Sequence, residues 1–87
     1  MDKGERINLY QQAIMAWGIE AQIRMVMEES GEMLAAIGKA TRDRASEEEV
    51  ITELADVCIM MEQMAVWFGT LDGFEEEKER KLQRLKE

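Results

Sequence analysis

The sequence predicts an all-α fold, a small antiparallel four-helix bundle-type subunit, from three observations. The 87 residues contain no proline, and Met, Ala, Leu, Glu, Gln, Lys and Arg, all good helix formers, abound. Apolar residues recur at three- and four-residue spacing along almost the whole chain. The interruptions fall at residues that stop helices: Gly18, the polar stretch from Thr41 to Ala45, and Gly69.

The first helix is expected from about Glu5 to Trp17, with Ile7, Tyr10, Ile14 and Trp17 on one stripe. Gly18 is a kink or short turn. The second runs from about Ile19 to Thr41 and carries Ile19, Ile23, Val26, Met33 and Ile37. Gly31 falls inside it, a residue that weakens a helix and can permit close approach of another. Ser46 is a natural N-cap for the third helix, with Glu47 to Glu49 in its first turn and Glu49 at the capping-box position. That helix should stop at Gly69, followed by a turn from Thr70 to Gly73 and a charged fourth helix from Phe74 to Glu87. Residues 1–87 form a single domain, with no repeat, low-complexity tract or linker.

The third helix does more than fill the bundle. Between Leu54 and Phe68 its only charges are Asp56 and Glu62, and apolar side chains wrap nearly all the way round. A helix apolar on every side needs burial on every side, and so small a chain cannot provide it alone. The expectation is oligomerisation through helix three.

Composition removes several classes of function. No histidine is present, which excludes Ser-His and Cys-His nucleophilic chemistry, His-ligated zinc and the Glu-x-x-His di-iron bundle. Cys58 is alone, so an intrachain disulfide is impossible; its apolar setting reads as a small buried hydrophobe in a reducing compartment. A net charge of −8 argues against nucleic-acid and anionic-membrane partners. The polar start, Met1-Asp2-Lys3-Gly4-Glu5-Arg6, does not resemble a signal peptide, and no stretch is long enough to cross a bilayer. The expected location is cytoplasmic.

Two acidic clusters stand out: Glu28-Glu29-Ser30-Gly31-Glu32 and Glu53-Leu54-Ala55-Asp56. Glu29 and Glu32, like Glu53 and Asp56, are spaced i, i+3 and so share a helix face. Neither Met25–Gly38 nor Ala45–Glu77 contains a Lys or Arg. On a helical projection Glu29 falls only about 60° from Val26, with Met33 on one side and Ala36 and Met25 on the other. Glu32 lies at the edge of that apolar arc and Glu28 further toward solvent. Glu53 projects between Val57 and Met60, and Asp56 close to Met60 and Trp67.

Acidic runs on helices are usually solvated, which suits Glu47–Glu49 and Glu75–Glu77. For the four converging acids that reading fails, because an unpaired charge among apolar groups is costly. Salt bridges to Arg24, Lys39, Lys78, Lys81 or Arg84 are an alternative, but would leave acids in excess. A divalent cation answers the problem better. Hard oxygen ligands without His or Cys select Mg²⁺ or Mn²⁺, and Mg²⁺ commonly shares its coordination with water and phosphate oxygens. The chemistry suggested is hydrolysis of a phosphoanhydride or phosphodiester, with a carboxylate orienting or deprotonating the attacking water.

The Glu-Glu-x-x-Glu of Glu28–Glu32, followed by the Glu-x-x-Asp of Glu53–Asp56, resembles the signature of the all-α nucleoside triphosphate pyrophosphohydrolases. These are the MazG-like enzymes, to which dimeric dUTPases and dCTP pyrophosphatases are related. The likeness is strongest to short single-domain members, including phage versions. It extends from about Tyr10 through Trp17-Gly18 and Gln22 to Lys81-Leu82 and Leu85. The resemblance implies Mg²⁺-dependent conversion of an NTP or dNTP substrate to monophosphate and pyrophosphate, in a homodimer or homotetramer. Carried over by position, Glu29, Glu32, Glu53 and Asp56 are metal ligands, and Glu28 is a polar neighbour or helps orient water. Lys39, Lys81 and Arg84 resemble phosphate-contacting positions, with solvated helix faces as the plainer reading. Trp17 and Gln22 could stack on and hydrogen-bond a base, although a tryptophan at helical spacing is more often core. Two rival functions are a non-catalytic helical oligomer and a Mg²⁺-dependent hydrolase of another phosphorylated metabolite.

Overall fold

The computed structural model describes Met1–Glu87 and contains four helices and no strand: α1 (Lys3–Trp17), α2 (Ile19–Ala40), α3 (Glu47–Phe68) and α4 (Leu71–Leu85). Helix α1 begins two residues earlier than expected because Asp2, not Glu5, sets its start. The Asp2 carboxylate accepts the Glu5 amide at 2.8 Å, filling one of the orphan donors of the first turn. At Gly18 the backbone adopts φ 85°, which a glycine takes without a Cβ penalty. One residue therefore both closes α1 and redirects the chain into α2.

Helix α3 has the boundaries its sequence signals. Ser46 Oγ accepts the Glu49 amide at 3.1 Å, and Gly69 ends it with its amide donated to Ala65. The expected turn from Thr70 to Gly73 is corrected. Thr70 is an N-cap, accepting the Gly73 amide at 2.9 Å, so Leu71, Asp72 and Gly73 are the first turn of α4. Asp and Gly there resemble turn residues, but a helix N-terminus tolerates both and its dipole favours the acid. The consequence is packing: Leu71, 1% exposed, is the most deeply buried side chain in the molecule.

Helices α2 and α3 form the main antiparallel pair, and α1 packs across both. A hydrogen bond from Gln63 Nε2 to Gln22 Oε1 fixes their register. Seven residues onward along α2 and seven back along α3, Glu29 comes level with Asp56; Glu32 then comes level with Glu53. The inward positions of α2 follow a three-four spacing: Ile19, Gln22, Val26, Glu29, Met33 and Ala36 are all buried or half-buried. Two of these six seam positions, Gln22 and Glu29, are therefore polar where a helical hairpin ordinarily places apolar residues.

Charge pairing is confined to the other side of the molecule. Lys3 Nζ lies 2.7 Å from both Asp72 and Glu75, and Arg6 Nε lies 3.3 Å from Glu62. Tyr10 donates its hydroxyl to Glu62 at 2.6 Å. Desolvation, reinforced by that carboxylate, pushes the Tyr10 phenol up to about 12. The basic residues of α1 are thus committed to α3 and α4.

Only 6 of the 87 residues are buried, which is too small a core for a chain of this length. Met27, Leu34, Ile51, Ile59 and Phe68 are exposed. Cys58 is exposed as well, contrary to the expectation of a buried thiol, because the outer face of α3 has nothing packed upon it. Gly31 does not serve close approach within the chain, since a Cβ there would meet nothing within 4 Å. No single helix is long and apolar enough to cross a membrane.

Candidate metal centre

The antiparallel register of α2 and α3 gathers three of the four expected ligands. Glu29, Glu53 and Asp56 each offer a carboxylate oxygen, and these oxygens lie within 4.8 Å of one another. All three residues are half-buried. Glu32 stands beside them, exposed, at the mouth of the group. Glu28, also exposed, is further round α2, as its helical projection requires.

The electrostatics of this group are unfavourable as they stand. Glu29 Oε2 and Glu53 Oε2 are sealed from solvent and make no hydrogen bond. No Lys or Arg lies within ion-pair distance of Glu29, Glu32, Glu53 or Asp56, so the salt-bridge alternative is not realised in the single chain. The carboxyl of Glu29 is raised above its ordinary range by desolvation, then by the charges of Glu32, Asp56, Glu53 and Glu28. That of Glu53 is raised by desolvation and by Glu32 and Asp56. Like charges held together with orphaned, sealed oxygens are costly to a fold. The donor set, oxygen only and anionic, is of the kind that binds a hard divalent cation.

Two of the acids, Glu32 and Glu53, also line a cleft of about 530 Å³ between α2 and α3, together with Lys39, Ser46 and Thr52 among others. Lys39 is its only basic residue. Glu48 and Glu49, exposed with Glu47 as expected of a solvated first-turn run, also line it. The backbone path explains this. The α2–α3 link brings the start of α3 alongside the end of α2, next to the acid pairs.

Lys81 and Arg84 are not brought to the acids within one chain. Both are exposed and line clefts made of α4 residues alone. Trp17 is 58% exposed, so it is not the core aromatic that its spacing suggested. It borders an open groove of about 500 Å³ between α1 and α2, whose walls include Leu9, Gln12, Met25 and Gln22. Sequence reasoning missed Gln63 and the Arg6–Tyr10–Glu62 cluster. The signal for Gln63 was its position seven residues beyond Asp56, matching the interval from Gln22 to Glu29.

No protein-family model matches the chain, and no curated protein or solved structure matches it either.

Proposed function

We propose that the chain is a Mg²⁺-dependent hydrolase, with Mn²⁺ as a substitute, that converts nucleoside triphosphates to monophosphate and pyrophosphate. One observation carries the metal-dependent part: two carboxylate oxygens, on Glu29 and Glu53, are sealed from water and lack any partner. A fold keeps such groups when a cation completes them. The paired Glu28–Glu32 and Glu53–Asp56 motifs, and the family they resemble, supply the choice of substrate and of bond.

In this reading Glu29, Glu53 and Asp56, with Glu32 beside them, hold the cation. When bound, it offsets the negative charge on the phosphate oxygens and makes a water more acidic. Glu28 or Glu29 orients the attacking water and accepts its proton. The water oxygen bonds to the α-phosphorus as the bond to the α–β bridging oxygen breaks, and pyrophosphate leaves with that oxygen. Lys39, in the same cleft as Glu32 and Glu53, attracts the polyphosphate. Trp17 and Gln22 serve the base. Lys81 and Arg84, on clefts made of α4 residues alone, approach phosphate only from a second copy.

The test is a panel of ribo- and deoxyribonucleoside triphosphates, with separate detection of pyrophosphate and orthophosphate, with and without Mg²⁺. Pyrophosphate release that requires the metal is the expected result. Orthophosphate release refutes cleavage at the α-phosphorus. Inertness toward the panel, with no response to Mg²⁺, favours the non-catalytic oligomer.

The assembly proposed is a homodimer or homotetramer built through α3. Its support is the combination of a small buried core with a row of exposed apolar side chains, Ile51, Leu54, Ile59 and Phe68, along one helix. Ile59, 51% exposed, is a cleaner probe than the half-buried Val66. Ile59→Glu is expected to shift the light-scattering mass of the protein from oligomer to monomer at micromolar concentration. A wild-type protein that is monomeric there overturns the assembly.

A further inference from the structure

The buried polar residues of the chain are the core pair Gln22–Gln63, of which Gln63 has no role in the reading above. The two side chains are 5% and 4% exposed, more buried than most apolar residues of the chain. Two amides at the centre of a helical hairpin cost desolvation that a Leu–Leu pair would not incur. Their mutual hydrogen bond uses one donor of Gln63 and the acceptor of Gln22. An amide has two donors and an acceptor, so each side chain keeps bonding capacity in reserve.

The direction of that bond decides what Gln22 can offer. Its Oε1 is occupied by Gln63 Nε2. Its Nε2 donates to no protein group, yet it is not among the polar atoms sealed from solvent. Gln22 lines the α1–α2 groove with Leu9, Trp17 and Met25. The groove therefore has mostly apolar walls and a broadly exposed indole at its rim, with two amides: Gln12, exposed, and Gln22, buried and the one held in orientation by another side chain. Glu29 lies two turns further along the same face of α2, about 10.5 Å away along the axis.

We infer that Gln63 sets the base preference of the nucleotide site, by turning the Gln22 amide so that its NH₂ faces the groove and selects bases with a carbonyl edge over bases with an amino edge. This rests on the nucleotide reading above. A uracil, thymine or guanine ring presents a carbonyl oxygen at O4 or O6, where cytosine and adenine present an NH₂. Against a fixed donor the first forms a hydrogen bond, and the second sets donor against donor. Gln63 touches no substrate; it is a positioning residue.

Phosphate-free nucleosides test this apart from the metal site. With Trp67→Phe, Trp17 is the sole tryptophan, and its fluorescence is titrated with uridine against cytidine and with inosine against adenosine, without metal. The carbonyl-bearing nucleoside of each pair is expected to bind more tightly by about tenfold, the scale of one neutral hydrogen bond. Gln63→Glu leaves only acceptors facing Gln22, so the Gln22 amide turns over and presents its oxygen to the groove. The preference should then invert toward cytidine and adenosine, a result that a merely structural role for Gln63 does not give. Should Gln63→Glu fail to fold by circular dichroism, Gln63→Met keeps the bulk and frees Gln22 to turn, and the preference should fall to near unity. Equal binding of both nucleosides by the parent protein, absence of quenching, or a preference that survives either variant overturns the inference. If nucleosides fail while triphosphates are still hydrolysed to pyrophosphate, only this inference falls. If nucleosides discriminate as stated without any Mg²⁺-dependent hydrolysis, the catalytic reading falls instead.

Discussion

Asp56→Asn and Glu53→Gln, made separately, are expected to lower kcat/KM for triphosphate hydrolysis by on the order of a hundredfold or more while leaving the protein folded. Each replacement keeps the shape of the side chain and removes the charge required of a cation ligand. Both residues sit in the group of carboxylate oxygens that lie within 4.8 Å of one another, so the loss should be shared by every nucleotide, whatever its base. Glu76→Gln, an exposed change on α4, is the control and should retain full activity. Excess Mg²⁺ should recover part of the loss if weakened metal binding is its cause. Full activity of Asp56→Asn, measured by pyrophosphate release, would show that the assignment is wrong.

The acids were legible in the sequence because two independent patterns met on them. Their spacing put each pair on one helix face, and the absence of Lys and Arg from both segments left them unbalanced. Periodicity located α2 and α3 for the same reason that it located the acids, since a single register controls both. What sequence could not supply was the third dimension of charge. Glu62 looked like an isolated acid in an apolar helix, yet α1 brings Arg6 and Tyr10 to it. Lys81 and Arg84 shared a suggestive helix face with one another, but α4 keeps that face away from the acids. Cys58 failed as a buried residue because burial of α3 was inferred from its composition, and the chain by itself covers only part of that helix. Gln63 has no distinctive local signature. Its seven-residue interval from Asp56 acquires meaning only when the antiparallel pairing places Gln22 opposite.

Mg²⁺ is expected to raise the melting temperature of the wild-type protein strongly, and the size of the effect should depend on pH in a defined direction. At a hundredfold excess over Kd, a ligand bound only by the folded state contributes about 2.7 kcal/mol. For a domain of this size that corresponds to on the order of 10–20 °C. Without metal, Glu29 and Glu53 have native carboxyls raised above the ordinary value of 4.5, first through desolvation and then through neighbouring acids. Between that ordinary value and the raised native ones, the folded state holds more protons than the unfolded state. Stability contributed by these two groups therefore falls as pH rises through the window. Glu77, lowered by its bond to Arg80, acts in the opposite sense, so the comparison must isolate the site. The difference in stability between Glu53→Gln and wild type does so: without metal, the variant should gain relative to wild type as pH rises from about 4.5 toward neutrality. In Mg²⁺ the order should reverse, because wild type then binds the ion with all its carboxylates and the variant does not. Urea denaturation at three pH values, each with EDTA or with millimolar Mg²⁺, measures both signs. Identical curves with and without Mg²⁺, repeated with a non-hydrolysable triphosphate present, would remove the metal centre.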